Sequence, residues 1–118
     1  MHEIKGVFAF LKYWIAIETL AMPDGTNIRP AILKLAAAYN MSEAEARDFF
    51  AIGRLFSLRG DIVHRGLTPR MDQYLLAYIE GVYVDLLAQV LGVGSRIAQA
   101  TLERDTQTAA ELTARARS

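Results

Sequence analysis

Between Met71 and Val90 the apolar residues recur with the period of an α-helix. Met71, Leu75, Tyr78, Val82, Leu86 and Val90 run down one side, and Tyr74, Ile79, Tyr83 and Leu87 widen the stripe. A stripe this wide must be buried between other elements, and no stretch of the chain alternates polar and apolar residues as a half-buried strand does. Its partners are therefore helices. The expected class is all-α, most simply a bundle of four to five helices.

The other helices follow in order. From Glu3 to Ala21, Ile4, Val7, Phe8, Leu11 and Ile15 form one stripe and Phe10, Trp14, Ile17 and Ala21 a second, so this helix is expected to be buried on most of its circumference. Glu18 lies within that apolar crowd, where an ionised carboxylate needs a partner; either an arginine of the helix carrying His64 meets it or it lies on an exposed sliver of its own helix. Pro23-Asp24-Gly25 reads as a turn. Asn27 is placed to cap a second helix with Pro30 in its first turn, Ile28, Ile32, Leu35, Ala36 and Tyr39 on one face and Asn40 at its exit. Ser42-Glu43-Ala44-Glu45 reads as a capping box opening a third helix that runs to Gly66, with Gly53 permitting close approach of a neighbour. Thr68-Pro69 is expected to open the fourth, which ends at Gly92. After Ser95 the tract is rich in alanine, threonine and charge and is expected to be a peripheral helix at about 95–117 fraying toward Ser118, beside a core at about 3–92 of one domain spanning 1–118.

Composition removes several classes of function. The chain has 118 residues and no cysteine, so disulfides and thiolate metal sites are impossible. Two histidines far apart in sequence offer no zinc spacing, and neither a metal nor a cofactor is expected. Lys12 and Glu18 interrupt the N-terminal apolar stretch, which is therefore not read as a signal peptide, and Glu80 and Asp85 argue against a membrane span at Tyr74–Val93. The expected location is the cytoplasm, with no membrane partner. A formal net charge of zero argues against a protein that coats nucleic acid by bulk electrostatics. The charge is nevertheless uneven: residues 47–70 hold five arginines against Asp48 and Asp61.

At the centre of that basic tract, Arg59-Gly60-Asp61-Ile62-Val63-His64-Arg65-Gly66 places the only interior histidine five residues after an arginine. An imidazole moves a proton near neutral pH, and a guanidinium holds a phosphate or neutralises charge building up on it. With ten arginines and two histidines the bare spacing arises by chance in about one such chain in six. In an unbroken helix the two side chains sit about 140° apart. They meet on one phosphate only if Gly60 loosens the helix or if a second subunit supplies the counterpart. Asp61, three residues before His64 and four before Arg65, can orient the imidazole or pair with the arginine. Tyr74, Tyr78 and Tyr83 could stack on bases, although their spacing more often means core or dimer packing.

The run from Phe49 to Gly66, an aromatic-aliphatic helix leading into Arg-x4-His and then glycine, resembles HEPN domains of the Apea-like branch, and Ala16-Ile17-Glu18-Thr19-Leu20 is similar to that branch's first-helix segment. The likeness covers roughly residues 10–92. It implies a HEPN-like helical bundle that dimerises with two motifs facing one another, and a metal-independent endoribonuclease of the kind found in toxin–antitoxin, phage-defence or RNA-processing systems. Carried over, His64 is the expected general base or acid at the ribose 2'-hydroxyl, Arg59 the stabiliser of the scissile phosphate and Asp61 the supporting polar residue. Arg54, Arg65 and Glu18 are the expected supporting or RNA-binding residues. RNA, a second copy of the chain and an antitoxin or other partner protein are the implied partners. Gly60 stands where active members frequently carry asparagine, aspartate or histidine, so a non-catalytic dimerisation, nucleic-acid or nucleotide-binding module is the alternative. Gly66 stands where members modified by a partner nucleotidyltransferase carry tyrosine, so that pairing is not expected.

Overall fold

The computed structural model describes residues 2–117, and their side chains from residue 4 onward. The described residues form seven helices and no strand: α1 (His2–Ala21), α2 (Arg29–Tyr39), α3 (Glu43–Phe50), α4 (Ile52–Arg65), α5 (Gln73–Leu91), α6 (Ile97–Arg104) and α7 (Ala109–Ala116). The all-α class stands, but the count of four to five is exceeded because two expected helices each divide.

The first division falls at Ala51, which adopts a left-handed conformation at φ +51°. Alanine favours helix, so nothing local marks the break. Its cause is tertiary. Phe50 and Ile52, on either side, are both fully buried, and the buried Tyr78 hydroxyl donates to the Phe50 carbonyl at 2.7 Å. A straight helix would not aim both residues into one core. The second division separates α6 from α7. Thr108 opens α7 through a capping box with Glu111, and Ala98, Leu102, Ala109, Leu112 and Ala116 are buried. The C-terminal tract is therefore part of the core rather than peripheral, and the fraying expected at Ser118 lies outside the described residues.

The central element is α5, packed by α1, α2, α6 and α7. It is long and apolar enough to cross a membrane by length and composition, yet Leu75, Tyr78, Ile79, Val82 and Leu86 face other helices and Asp85 on it is wholly buried. It starts later than expected. Asp72, not Thr68, is its cap, accepting from the Leu75 amide at 2.9 Å. The Ser42–Glu45 capping box, the left-handed Asn40 and the glycine stops at Gly66 and Gly92 are where the sequence places them, while Asn27, the expected cap of α2, stands one position before the actual cap Ile28 and accepts from the Arg29 amide.

Only one of the two stripes of α1 is covered. Phe10, Trp14, Ile17 and Ala21 are buried, with Trp14 against the Phe56 ring at 5.9 Å, whereas Ile4, Phe8 and Ile15 are 51%, 66% and 60% exposed. The neighbours of α1 lie to one side, leaving its other face open. The close approach expected at Gly53 occurs elsewhere. A Cβ on Gly53 would be 3.6 Å from its nearest neighbour, but one on Gly81 would lie 3.0 Å from the Ala98 backbone nitrogen.

Candidate functional site

Helix α4 runs unbroken through Gly60 to Arg65 and stops where Gly66 turns left-handed at φ +70°. Gly60 does not kink it, so Arg59 and His64 keep the separation of about 140° around one axis. Arg59 is half-buried and His64 exposed, and neither makes a hydrogen bond or ion pair among the described residues. One chain does not bring the two onto a single phosphate.

Asp61 has other partners. The guanidinium of Arg117, the residue that ends α7, donates to its Oδ2, and Arg65 Nη1 lies 3.5 Å from its Oδ1. The Arg117 hydrogen bond first, with the charges of Arg117 and Arg65, holds the Asp61 carboxyl below its ordinary value. Of the two roles open to Asp61 it takes the pairing with Arg65, and Arg117 joins from 56 residues away. Arg117 Nη2 also reaches Ser57 Oγ at 3.4 Å, while the exposed Arg54 lies on the same side of α4 with no partner among the described residues. The structure thus gathers Arg54, Asp61 and Arg65 with Arg117 along the α4–α7 seam, and leaves Arg59 elsewhere on α4.

Glu18 is half-buried beside the Gly25 turn and makes no hydrogen bond or ion pair among the described residues, so the expected arginine from α4 does not meet it. The tyrosines divide. Tyr78 is buried and bonded to Phe50, Tyr74 lies 5.7 Å beneath the Arg115 guanidinium, and Tyr83 is half-buried. Packing accounts for the first two. Among the described residues no three His, Cys, Asp or Glu side chains are grouped to hold a metal ion.

The densest polar cluster went unanticipated. Asp85, fully buried on α5, accepts from Ser95 Oγ at 2.6 Å, the Ile97 amide at 2.8 Å, the Ala98 amide at 3.0 Å and the Tyr39 hydroxyl. Tyr39 in turn accepts from the Gln99 amide at 3.2 Å, and burial, then its bond to Asp85, pushes its phenol well above the ordinary value. Helix α6 has no side-chain cap of its own, so α5 and α2 supply one. With every donor matched, this is a structural clamp rather than a reactive group. Its sequence signal was a carboxylate in an apolar run, which must find donors when buried. No protein-family model, curated protein or solved structure matches this chain, so the seam and the Arg59–His64 helix rest on their own geometry.

Proposed function

We propose that the chain is a HEPN-type, metal-independent endoribonuclease that works as a homodimer, a toxin or phage-defence effector in the reducing cytoplasm that its lack of cysteine suits. The observation that carries this reading is the exposed, unpaired His64 on a helix that also carries Arg54, Arg59 and Arg65, together with a motif left divided within one chain. A second copy set against α4 completes it. In the dimer one His64 takes the proton of the ribose 2'-hydroxyl as that oxygen attacks phosphorus. The bond to the 5'-oxygen breaks, and His64 of the second copy returns a proton to it, leaving a 2',3'-cyclic phosphate and a 5'-hydroxyl. Arg59 of either copy neutralises charge on the phosphate. The surface favours closure by a second copy: Gly53, Ser57 and Gly60 leave α4 without bulk, and Val63 on α4 and the open stripe of α1 both expose apolar side chains. Incubation with total RNA in EDTA tests the reading. The wild type is expected to cut, and His64→Ala and Arg59→Ala each to fail; unchanged cleavage by His64→Ala overturns it. Because each copy supplies one His64, a heterodimer of wild-type and His64→Ala chains lacks either the base or the acid and is expected to cut more slowly than the wild-type dimer.

A second reading, a non-catalytic dimerisation or nucleic-acid-binding module, is favoured by one observation. Asp61 is held by Arg117 and Arg65, leaving the imidazole without an orienting carboxylate. RNA retention without cleavage, lost on removing the α4 arginines, would select it.

A further inference from the structure

We infer that the cleft between α4 and α7 is a binding site for a phosphate group. The packing of α7 on α4 makes this cleft, bringing residues 54–65 and 113–117 together. A hollow of about 290 Å³ is lined by Arg54, Ser57, Thr113, Ala114 and Arg117, and a smaller one of about 160 Å³ on the other side of Arg117 is lined by Asp61, Arg65, Leu67 and the same arginine. The two hollows together are lined by three guanidiniums and one carboxylate, a surplus of two positive charges in a chain whose net charge is zero.

The donors are set for an oxyanion. Asp61 and Ser57 hold Arg117 in place, so little side-chain freedom remains to be lost when an anion arrives. Arg54 has no partner among the described residues and supplies a second fork to the same hollow, with the Ser57 hydroxyl between them. Planar forks with several N–H groups match the tetrahedral oxygens of phosphate, which accept two bonds from each arginine. Thr113 contributes wall rather than donor, its hydroxyl being spent on the Ala109 and Ala110 carbonyls at 3.2 and 3.0 Å. The larger hollow is near the lower end of small-ligand pockets, roughly 300 Å³, and admits a phosphate with its sugar.

The phosphate can belong to a free monoester or to an RNA strand. The strand case rests on the nuclease reading; the monoester case does not. The full-length ¹⁵N-labelled chain titrated with sodium phosphate, adenosine 5'-monophosphate and a short oligouridylate tests both. Amide shifts are expected at Arg54, Ser57, Thr113 and Arg117, with affinity falling roughly tenfold in Arg54→Ala and again in Arg117→Gln. Arg104→Ala, whose arginine pairs with Asp105, serves as the control that leaves binding unchanged. Arg54 is exposed, so its variant folds even if loss of Arg117 loosens α7. Tighter binding of the oligomer than of the monoester, with a further loss in Arg65→Ala, identifies the strand; the reverse order identifies the monoester. Shifts confined to other residues, or unaltered affinity in Arg54→Ala, overturn the inference. Phosphate binding here without RNA cleavage leaves the inference standing and removes the nuclease, whereas His64-dependent cleavage with undiminished binding in Arg54→Ala does the opposite.

Discussion

Asp61 is one turn from His64, yet its charge is directed to Arg117 and Arg65. Because the folded carboxyl titrates below its ordinary value of 3.8, its contribution to stability is fully present above that value and is lost as pH falls through the depressed folded value. A ¹³C carboxyl titration is expected to place the Asp61 midpoint below 3.8 in the wild type and to return it toward 3.8 in Arg117→Gln. The i,i+4 pairing with Arg65 was legible in the sequence because helix geometry alone sets it. Arg117 was not, because its arrival depends on how α7 packs. The adjacent Gly60 offers a second residue-scale test. A Cβ there meets nothing within 4 Å, and the position is inside a regular helix. Gly60→Ala should therefore raise stability by about 0.5–1 kcal/mol in urea unfolding. A decrease would mean that α4 needs the flexibility of glycine after all.

At the scale of elements, α6 shows how a helix is held by its neighbours. Asp85 receives four donors, so its removal leaves the Ile97 and Ala98 amides and the Tyr39 and Ser95 hydroxyls without an acceptor. Asp85→Ala is expected to cost about 3–5 kcal/mol and Ser95→Ala about 1 kcal/mol, measured as shifts in the urea midpoint. Gly81, one turn before Asp85, allows the approach that makes the clamp possible. The methyl of Gly81→Ala would lie 3.0 Å from the Ala98 nitrogen and 3.1 Å from its Cα, both backbone atoms, so α6 must move and the clamp must lengthen. Helices α1, α2 and α5 were legible because bulky residues mark their buried faces. Helices α6 and α7 were undervalued because Ala98, Thr101, Ala109, Thr113 and Ala116 bury themselves by close approach rather than by bulk. The break at Ala51 escaped for a related reason: its cause is the shape of the core around Phe50 and Ile52, not a helix-breaking residue.

For the molecule as a whole, the apolar residues left outside the core bear on how the divided motif is completed. Ile4, Phe8 and Ile15 are spaced four and seven residues apart on α1, and Val63 is half-exposed on α4, which meets α1 through Phe56 and Trp14. Water contact along this stripe is unfavourable by roughly 25 cal/mol for each Å² of apolar surface, and a closed two-fold pair removes it on both copies at once. The proposed dimer therefore predicts a sedimentation mass of two chains of 13.1 kDa each. Phe8 is the most exposed of the three, so Phe8→Glu changes no core contact and should leave the helical circular dichroism intact while shifting the mass to one chain. Because a single chain keeps Arg59 and His64 on different sides of α4, the same variant should also lose RNA cleavage even though it alters neither residue. A monomeric Phe8→Glu that still cuts RNA would show that one chain suffices, and would require α4 to bend at Gly60 when RNA binds.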